Sequence, residues 1–309
     1  MNASPDSAKL AQANADHDAT PSTAADLLRQ VEPGNLAEAE LPTYIFLLNH
    51  VLGEKLSAWD EALTRHERVL ALPAVKPGYW RQAGAAALAA GNAQALGRFS
   101  VGYAKATDAD LARASEVIQL GAAVHQAPSL PAGEAARLTG DVLAALDAPF
   151  WRTGTELDSA VASGLNNLAS GLMERPASDL ADSALGEAVS RCAALAHAFW
   201  RRAGTWVHAE RALYLRATVA TALGDFQSAR RHCSEALALL DENDLKGEQP
   251  VDRAFLELER AHACRRLGRA DEAEVAAQRS EQLARSFQDP GLRTWFDSRR
   301  ASLAASDAP

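Results

Sequence analysis

The chain has little of what builds sheets, disulfide frameworks or membrane spans. Valine and isoleucine are scarce, whereas alanine, leucine, arginine and glutamate abound, and this composition favours helix over strand. The three cysteines, Cys192, Cys233 and Cys264, are too few and too widely spaced for a disulfide framework. No apolar run approaches the ~18 residues of a membrane-spanning helix. These shortages predict an all-α protein without a membrane span, and the cytoplasm is the default location.

Basic residues are fewer than acidic ones, 31 against 40. The formal net charge is −9. From Phe199 onward the chain carries 17 basic and 17 acidic residues, so the whole excess of acid lies before that point. Nucleic-acid binding needs a positive surface, and a nucleic acid is therefore not expected as the main partner.

The N-terminal stretch lacks both a leader signal and a hydrophobic periodicity. The sequence "MNASPDSAKLAQANADHDATPSTAAD" has no basic segment followed by an apolar one, and it is rich in small and polar residues. Such a composition is typical of a solvated segment. Residues 1–22 are therefore predicted to form a disordered tail.

Beyond that stretch, apolar residues recur at spacings of three and four almost everywhere, which indicates helices. A short helix is predicted over 23–31 and a final one over 291–305. Between them the pattern predicts six pairs of helices, which cover residues 36–52 with 55–72, 78–90 with 93–104, 109–125 with 131–146, 156–174 with 180–203, 206–223 with 226–240, and 251–267 with 270–287.

Three turn glycines, Gly91, Gly224 and Gly268, separate the helices of three of these pairs. Glycine is favoured there because the residue that closes a helix often takes a left-handed conformation. A small residue lies seven positions before each of these glycines, as Gly84, Ala217 and Ala261. The positions five and twelve after Gly224 and Gly268 are also small, whereas after Gly91 they hold Leu96 and Tyr103. Because antiparallel helices approach to about 8–10 Å, only small side chains fit where they cross.

These features resemble the tetratricopeptide repeat, in which a large residue, a small one, a turn glycine and then alanines follow at fixed spacing. The resemblance rests on "WRQAGAAALAAGNAQAL", "ALGDFQSARRHCSEAL" and "RRLGRADEAEVAAQRSEQL". It is clearest over 205–287 and weaker over 36–104. Gly224 and Gly268 are 44 residues apart, against 34 for the standard repeat, so these repeats are divergent.

The resemblance implies a right-handed α-solenoid of about six antiparallel helix pairs. A single solenoid is expected over 23–306. Its parts are first repeats over 35–104, divergent pairs over 105–204, two clear repeats over 205–287 and a capping helix over 290–306. The repeat register within 105–204 is left open.

Motifs that carry chemistry are missing. The sequence has no phosphate-binding glycine loop, no H-E-x-x-H, no paired C-x-x-C and no G-x-S-x-G. "RRHC" and "RAHAC" place histidine near Cys233 and Cys264, but a zinc site needs four converging ligands, and packing is the better interpretation. No metal, cofactor or catalytic residue is predicted.

In tetratricopeptide proteins the first helix of each pair lines the binding groove. Carried over by offset from the turn glycines, the resemblance predicts a peptide-binding groove that contains Arg81, Asn166, Arg211, Tyr214, Thr218, His262 and Arg265. Arginine, asparagine and tyrosine can bind the carboxylates and backbone of a peptide. A merely solvated helix face is the alternative interpretation of the same residues.

The predicted function is therefore a non-catalytic scaffold that binds a protein or peptide segment, with an acidic or carboxylate-bearing segment as the expected ligand. One alternative is a regulatory domain that senses a small molecule or a signalling peptide. A less favoured alternative is an all-α enzyme that uses residues 105–204, where His125, Glu156, Asp158, Glu174 and His197 are available. The sequence identifies neither the partner nor the oligomeric state.

Overall fold

The computed structural model describes residues 4–305, and across that range the regular secondary structure is helical, without a strand. Sixteen α-helices occur among the described residues. They are α1 Pro5–Asp16, α2 Pro21–Arg29, α3 Leu41–Leu47, α4 Trp59–Leu70, α5 Pro77–Ala89, α6 Ala93–Thr107, α7 Leu111–Gln126, α8 Ala132–Leu146, α9 Asp158–Met173, α10 Ala177–Leu180, α11 Ser183–Ala203, α12 Trp206–Ala222, α13 Phe226–Asn243, α14 Pro250–Arg266, α15 Ala270–Ala284 and α16 Pro290–Ala305. The all-α prediction is confirmed for the described residues.

The helices group into two compact units, Met1–Gly164 and Leu165–Pro309, with the boundary inside α9. Within each unit, helices that follow one another along the chain pack as neighbours, notably α5 with α6, α12 with α13, and α14 with α15. A single continuous right-handed solenoid stays a prediction. None of the described helices combines the length and apolar character needed to cross a bilayer.

The N-terminal segment corrects the sequence analysis. Residues 5–16 form helix α1 rather than a disordered tail, and the Ser4 side chain accepts a hydrogen bond from the Ser7 backbone N–H at its start. Leu10 and Ala13, one helical turn apart, are buried in the same apolar cluster as Leu28 of α2. Two apolar side chains on one face are enough here because a neighbouring helix covers them. Residues 1–3 of the predicted tail lie outside the described range.

The turn glycines end helices as predicted. Gly91, Gly224 and Gly268 have φ of +70°, +77° and +73°, the left-handed region in which other residues are strained. Each lies between the two helices of a pair, so the chain reverses within a few residues. Helix α7 begins two residues later than the predicted helix 109–125. Asp108 has φ +54° and ends α6, and the Asp110 side chain caps the start of α7.

Small residues lie where the paired helices cross. Ala217 of α12 and Ala229 of α13 are fully buried. A Cβ added at Gly84 of α5 would lie 2.7 Å from the Ile118 side chain of α7, closer than real Cβ atoms approach. The alanine and glycine pattern in the sequence therefore reports helix packing, as predicted.

One helix departs from the expected form. The predicted helix 36–52 begins later, as α3, and continues as a π-helix over Leu48–Lys55. Gly53, between the predicted helices 36–52 and 55–72, lies inside this π-helix, where a Cβ would meet the Trp59 ring at 2.2 Å. Its role is close packing against Trp59. π-Helical turns are uncommon and occur frequently at functional sites.

Beside the π-helix the core contains a chain of polar side chains. Asn49 is fully buried, and its amide donates to the Gln82 side-chain oxygen at 2.8 Å. The Nε2 atom of His66, itself buried, lies 2.7 Å from the Asn49 Oδ1. Burial lowers the pKa of His66 to about 3, so the ring is neutral near neutral pH and donates this hydrogen bond.

Candidate functional site

Four of the seven predicted groove residues line one cavity in the Leu165–Pro309 unit. The cavity has a volume of about 700 Å³, and Asn166, Arg211, Tyr214 and Thr218 all border it. Asn166 lies on α9 and the other three on α12. The remaining walls come from α14 and α16.

The helical spacing of α12 explains this arrangement. Arg211, Tyr214 and Thr218 are separated by three and four residues, so they share one face of the helix. Ala217 lies about a quarter turn away from the centre of this face and is fully buried in the cluster that also contains Ala236 of α13. Helix α12 thus packs on α13 through its small residues and lines the cavity with its polar residues.

An aromatic wall lines part of the cavity. The rings of Tyr214 and Phe255 meet edge to face with centroids 6.3 Å apart. Trp295 of α16 lies 4.4 Å from Phe255, centroid to centroid, and is 54% exposed although it is large and apolar. A partly exposed tryptophan at a cavity is typical of an anchor for a ligand.

The most unusual group in the cavity is Glu210. Its side chain is only 1% exposed, yet neither carboxylate oxygen has a hydrogen-bond partner among the described residues. Burial, with the nearby Asp252 carboxylate as a smaller cause, raises the pKa of Glu210 to about 8. Buried carboxyl groups are normally hydrogen-bonded, so Glu210 is an exception among the buried polar groups of this cavity.

The arginines of the cavity, in contrast, already have anionic partners. The guanidinium of Arg211 donates to Asp252 Oδ2 at 3.0 and 3.1 Å. Arg299 Nε donates to Glu259 Oε1 at 2.5 Å, and Glu259 is fully buried. The positive charge of the lining is thereby balanced, whereas Glu210 has no hydrogen-bonded cation within the described chain.

The other three predicted groove residues lie elsewhere. His262 and Arg265 border a second cavity of about 840 Å³ formed by α14, α15 and α16. Arg81 belongs to the Met1–Gly164 unit, where its Nη1 donates to the Ala160 carbonyl oxygen at 3.3 Å. Of the seven residues predicted for the groove, four therefore line one cavity and three lie outside it.

Four further residues of the cavity were not predicted from the sequence, namely Glu210, Asp252, Trp295 and Arg299. A signal for Glu210 was present, because Leu213 and Ala217 follow it at three and seven residues and share its buried face. No sequence signal places Trp295 and Arg299 here, since α16 reaches the cavity only through the packing of α16 on α14.

The residues considered for catalysis in the middle of the chain each have a different environment. His125 Nδ1 contacts Glu54, and Asp158 Oδ1 accepts from the Thr155 hydroxyl at 2.9 Å. His197 Nδ1 lies 3.4 Å from Arg216 Nη1, and Glu174 lines the 700 Å³ cavity. His125, Asp158 and His197 thus each contact a different partner.

The three cysteines lie in the interior of the protein, which agrees with the interpretation of Cys233 and Cys264 as packing residues. Cys192, Cys233 and Cys264 are all buried thiols. Burial raises the pKa of Cys192 to about 12 and also raises that of Cys233, so neither is a thiolate near neutral pH.

Comparison with known proteins gives no assignment. No model of a protein family matches the chain, and no curated protein sequence matches it significantly.

Proposed function

We propose that the Leu165–Pro309 unit is a non-catalytic binding module, of the divergent tetratricopeptide kind, whose 700 Å³ cavity accepts a basic side chain of a peptide or protein segment. The observation that carries the proposal is Glu210, a buried carboxyl group without a hydrogen-bond partner among the described residues. Burial of an unsatisfied carboxyl costs free energy that an incoming ammonium or guanidinium would recover.

The balance of charge favours a basic ligand over the acidic one expected from sequence. Arg211 and Arg299 are each paired with a carboxylate, so an anionic ligand would have to displace Asp252 or Glu259. Trp295 and Tyr214 add aromatic faces against which a cationic group or its alkyl chain can pack.

A small cationic molecule is a second candidate, favoured by the size of the cavity. Cavities of about 300–1,000 Å³ are typical of small-molecule sites. A peptide would contact residues beyond the cavity, whereas a small amine would be confined to it.

The test is calorimetric titration of the full chain with lysine- and arginine-containing peptides, acidic peptides and small amines. Basic peptides should bind, and binding should release protons between about pH 5 and 8, because a cation ionises a carboxyl group that is otherwise protonated. Titrations in buffers with different ionisation enthalpies measure that release. The Glu210→Gln variant should lose both the binding and the proton release, and Glu242→Gln, at an exposed position, should behave as wild type.

The Arg211→Ala variant distinguishes a basic ligand from an acidic one. For a basic ligand this change should preserve or strengthen binding, because it leaves Asp252 without its arginine. For an acidic ligand it should weaken binding by about 1–3 kcal/mol, the scale of a charged hydrogen bond. Binding of acidic peptides that depends on Arg211 and not on Glu210 would overturn the proposal, and binding of amines alone would favour the second candidate.

A further inference from the structure

A cluster of two histidines and an aspartate in the Met1–Gly164 unit has the composition of a transition-metal site. His17 and Asp18 lie in the turn after α1, and His50 lies on the π-helix Leu48–Lys55. One ligand atom from each of the three residues lies within 4.8 Å of the other two. The sequence predicted no metal site, and nothing in the proposed peptide-binding function uses these residues.

The distances within the cluster suit a small coordination sphere. Asp18 Oδ2 lies 3.2 Å from His17 Nε2, and Asp18 Oδ1 lies 3.3 Å from His50 Nε2. Two ligands bound about 2.0–2.1 Å from a tetrahedral ion are about 3.3 Å apart. An ion could therefore be bound by both Nε2 atoms and the carboxylate with only small side-chain movements.

Each histidine also has an outer partner that fixes its ring. His17 Nδ1 lies 2.6 Å from the Asn14 carbonyl oxygen, to which it can only donate. His50 Nδ1 lies 2.5 Å from Glu54 Oε2, and the other oxygen of Glu54 contacts His125 Nδ1. A metal-binding histidine usually donates its second ring N–H to a carbonyl or carboxylate in this way, which leaves the remaining nitrogen as a lone-pair ligand.

The surrounding side chains hold the cluster of His17, Asp18 and His50 in place and shield one side of it. The π-helix places His50 and Glu54, four residues apart, in direct contact. Hydrogen bonds of the buried Asn49 with Gln82 and with the buried His66 hold this segment in place. The Phe46 ring stacks on His50 at 5.2 Å between centroids and shields one side of the cluster. Asp18 is 66% exposed, so solvent and an entering ion can reach the remaining side.

We infer that His17, Asp18 and His50 bind one divalent transition-metal ion of the zinc class, positioned by Glu54 and the Asn14 carbonyl. Two imidazoles and one carboxylate suit Zn²⁺, Co²⁺ or Ni²⁺ and do not suit Mg²⁺ or Ca²⁺, which prefer oxygen ligands. Three protein ligands leave a fourth position for water. The bound ion would fasten the turn after α1 to the π-helix.

Lys55 is the one cation already at this cluster among the described residues. Its Nζ lies 3.1 Å from Asp18 Oδ1, and its side chain is 37% exposed. A metal ion would displace this ammonium group, which can turn into solvent. Removal of Lys55 should consequently strengthen metal binding, whereas it would weaken a cluster held together only by ion pairs.

The test is titration of tag-free full-length protein with Co²⁺, followed by displacement with Zn²⁺. One equivalent of Co²⁺ should produce visible absorption bands of a low-coordinate site, Zn²⁺ should abolish them, and Zn²⁺ should raise the melting temperature. His17→Ala and Asp18→Asn should each lower the affinity at least tenfold. Both residues lie in a solvent-accessible turn, so neither change should disturb the fold.

Matched controls make the result specific. His208→Ala and Asp26→Asn, at exposed positions, should leave the affinity unchanged. Glu54→Gln should lower it by about 10–100-fold, as loss of an outer partner does, with circular dichroism used to check that the variant folds. Lys55→Ala should raise it. Absence of Co²⁺ absorption at stoichiometric concentrations, or an affinity unaffected by His17→Ala and Asp18→Asn, would overturn the inference.

Discussion

At the residue scale, Glu210 should make the stability of the protein depend on pH. Its pKa is raised to about 8 in the folded state, against an ordinary value of 4.5. Between those values the folded state holds a proton that the unfolded state has lost, so the contribution of Glu210 to the free energy of unfolding should fall as pH rises from about 5 to 8. The difference between wild type and Glu210→Gln isolates this contribution from the opposite one of His66 and His197. Glu210→Gln should remove this dependence and stabilise the protein at pH 8 by about 1–3 kcal/mol.

Urea unfolding at pH 5, 6.5 and 8 measures this effect. Glu242→Gln serves as the control because Glu242 is exposed. Parallel pH profiles for wild type and Glu210→Gln would show that the buried carboxyl is ionised, and they would remove the basis for a basic ligand.

At the scale of the element, the crossing of α12 and α13 should tolerate no bulk. Ala217 is fully buried, and Ala217→Trp would force the helices apart at a destabilisation of about 1–3 kcal/mol or more. Gln227→Trp, at an exposed position of α13, should change the stability by less than about 0.5 kcal/mol. Thermal melts of the two variants check the assignment, and equal losses would mean that Ala217 does not lie at the crossing.

Helix α1 provides a second prediction at this scale. Leu10 is 3% exposed and packs in the cluster that contains Leu28. Leu10→Ala should destabilise the protein by about 2–3 kcal/mol, whereas Gln12→Ala, at an exposed position of the same helix, should change the stability by less than about 0.5 kcal/mol. Deletion of residues 1–18 should lower the melting temperature too. An unchanged melting temperature after that deletion would restore the prediction of a tail without structure.

At the scale of the whole molecule, buried neutral histidines should weaken the fold in acid. The pKa of His66 is lowered from 6.5 to about 3 by burial, and that of His197 to about 4 by burial and Arg216. Below pH 6.5 the unfolded chain binds protons that the folded chain excludes, so stability should be lost as pH falls toward these values. Denaturant unfolding between pH 7 and 4 measures the loss. His66→Gln, once shown to fold, should reduce the slope of the free energy of unfolding against pH. His197→Gln should also give a smaller slope than wild type, which provides an independent check.

The predictability of the fold follows the length scale of the interactions. The pairs 78–90 with 93–104 and 206–223 with 226–240 agree with α5 to α6 and α12 to α13 within a few residues. Their signals are local, since the apolar period and a turn glycine lie within one pair. The π-helix and α1 were missed because both depend on neighbours, Trp59 in one case and α2 in the other.

The residues of the candidate sites were likewise predictable only where they lie close together in the sequence. Arg211, Tyr214 and Thr218 were predicted together because they share one face of a single helix. His262 and Arg265 were assigned to the same groove but border another cavity, because the offsets of a repeat do not specify how successive pairs pack. The metal cluster joins His17 and Asp18 to His50, which follows Asp18 by 32 positions, and no spacing rule connects them.

The sequence by itself determined that the chain is helical, where most helices begin and end, and which small residues lie at the crossings, because backbone propensity and hydrophobic period act over a few residues. Only the tertiary structure decided which side chains share a cavity, that Glu210 is buried without a hydrogen-bond partner in the described chain, and that His17 faces His50. Burial and charge pairing arise from residues distant in the chain, so the chemistry of both sites appears only after the helices have packed.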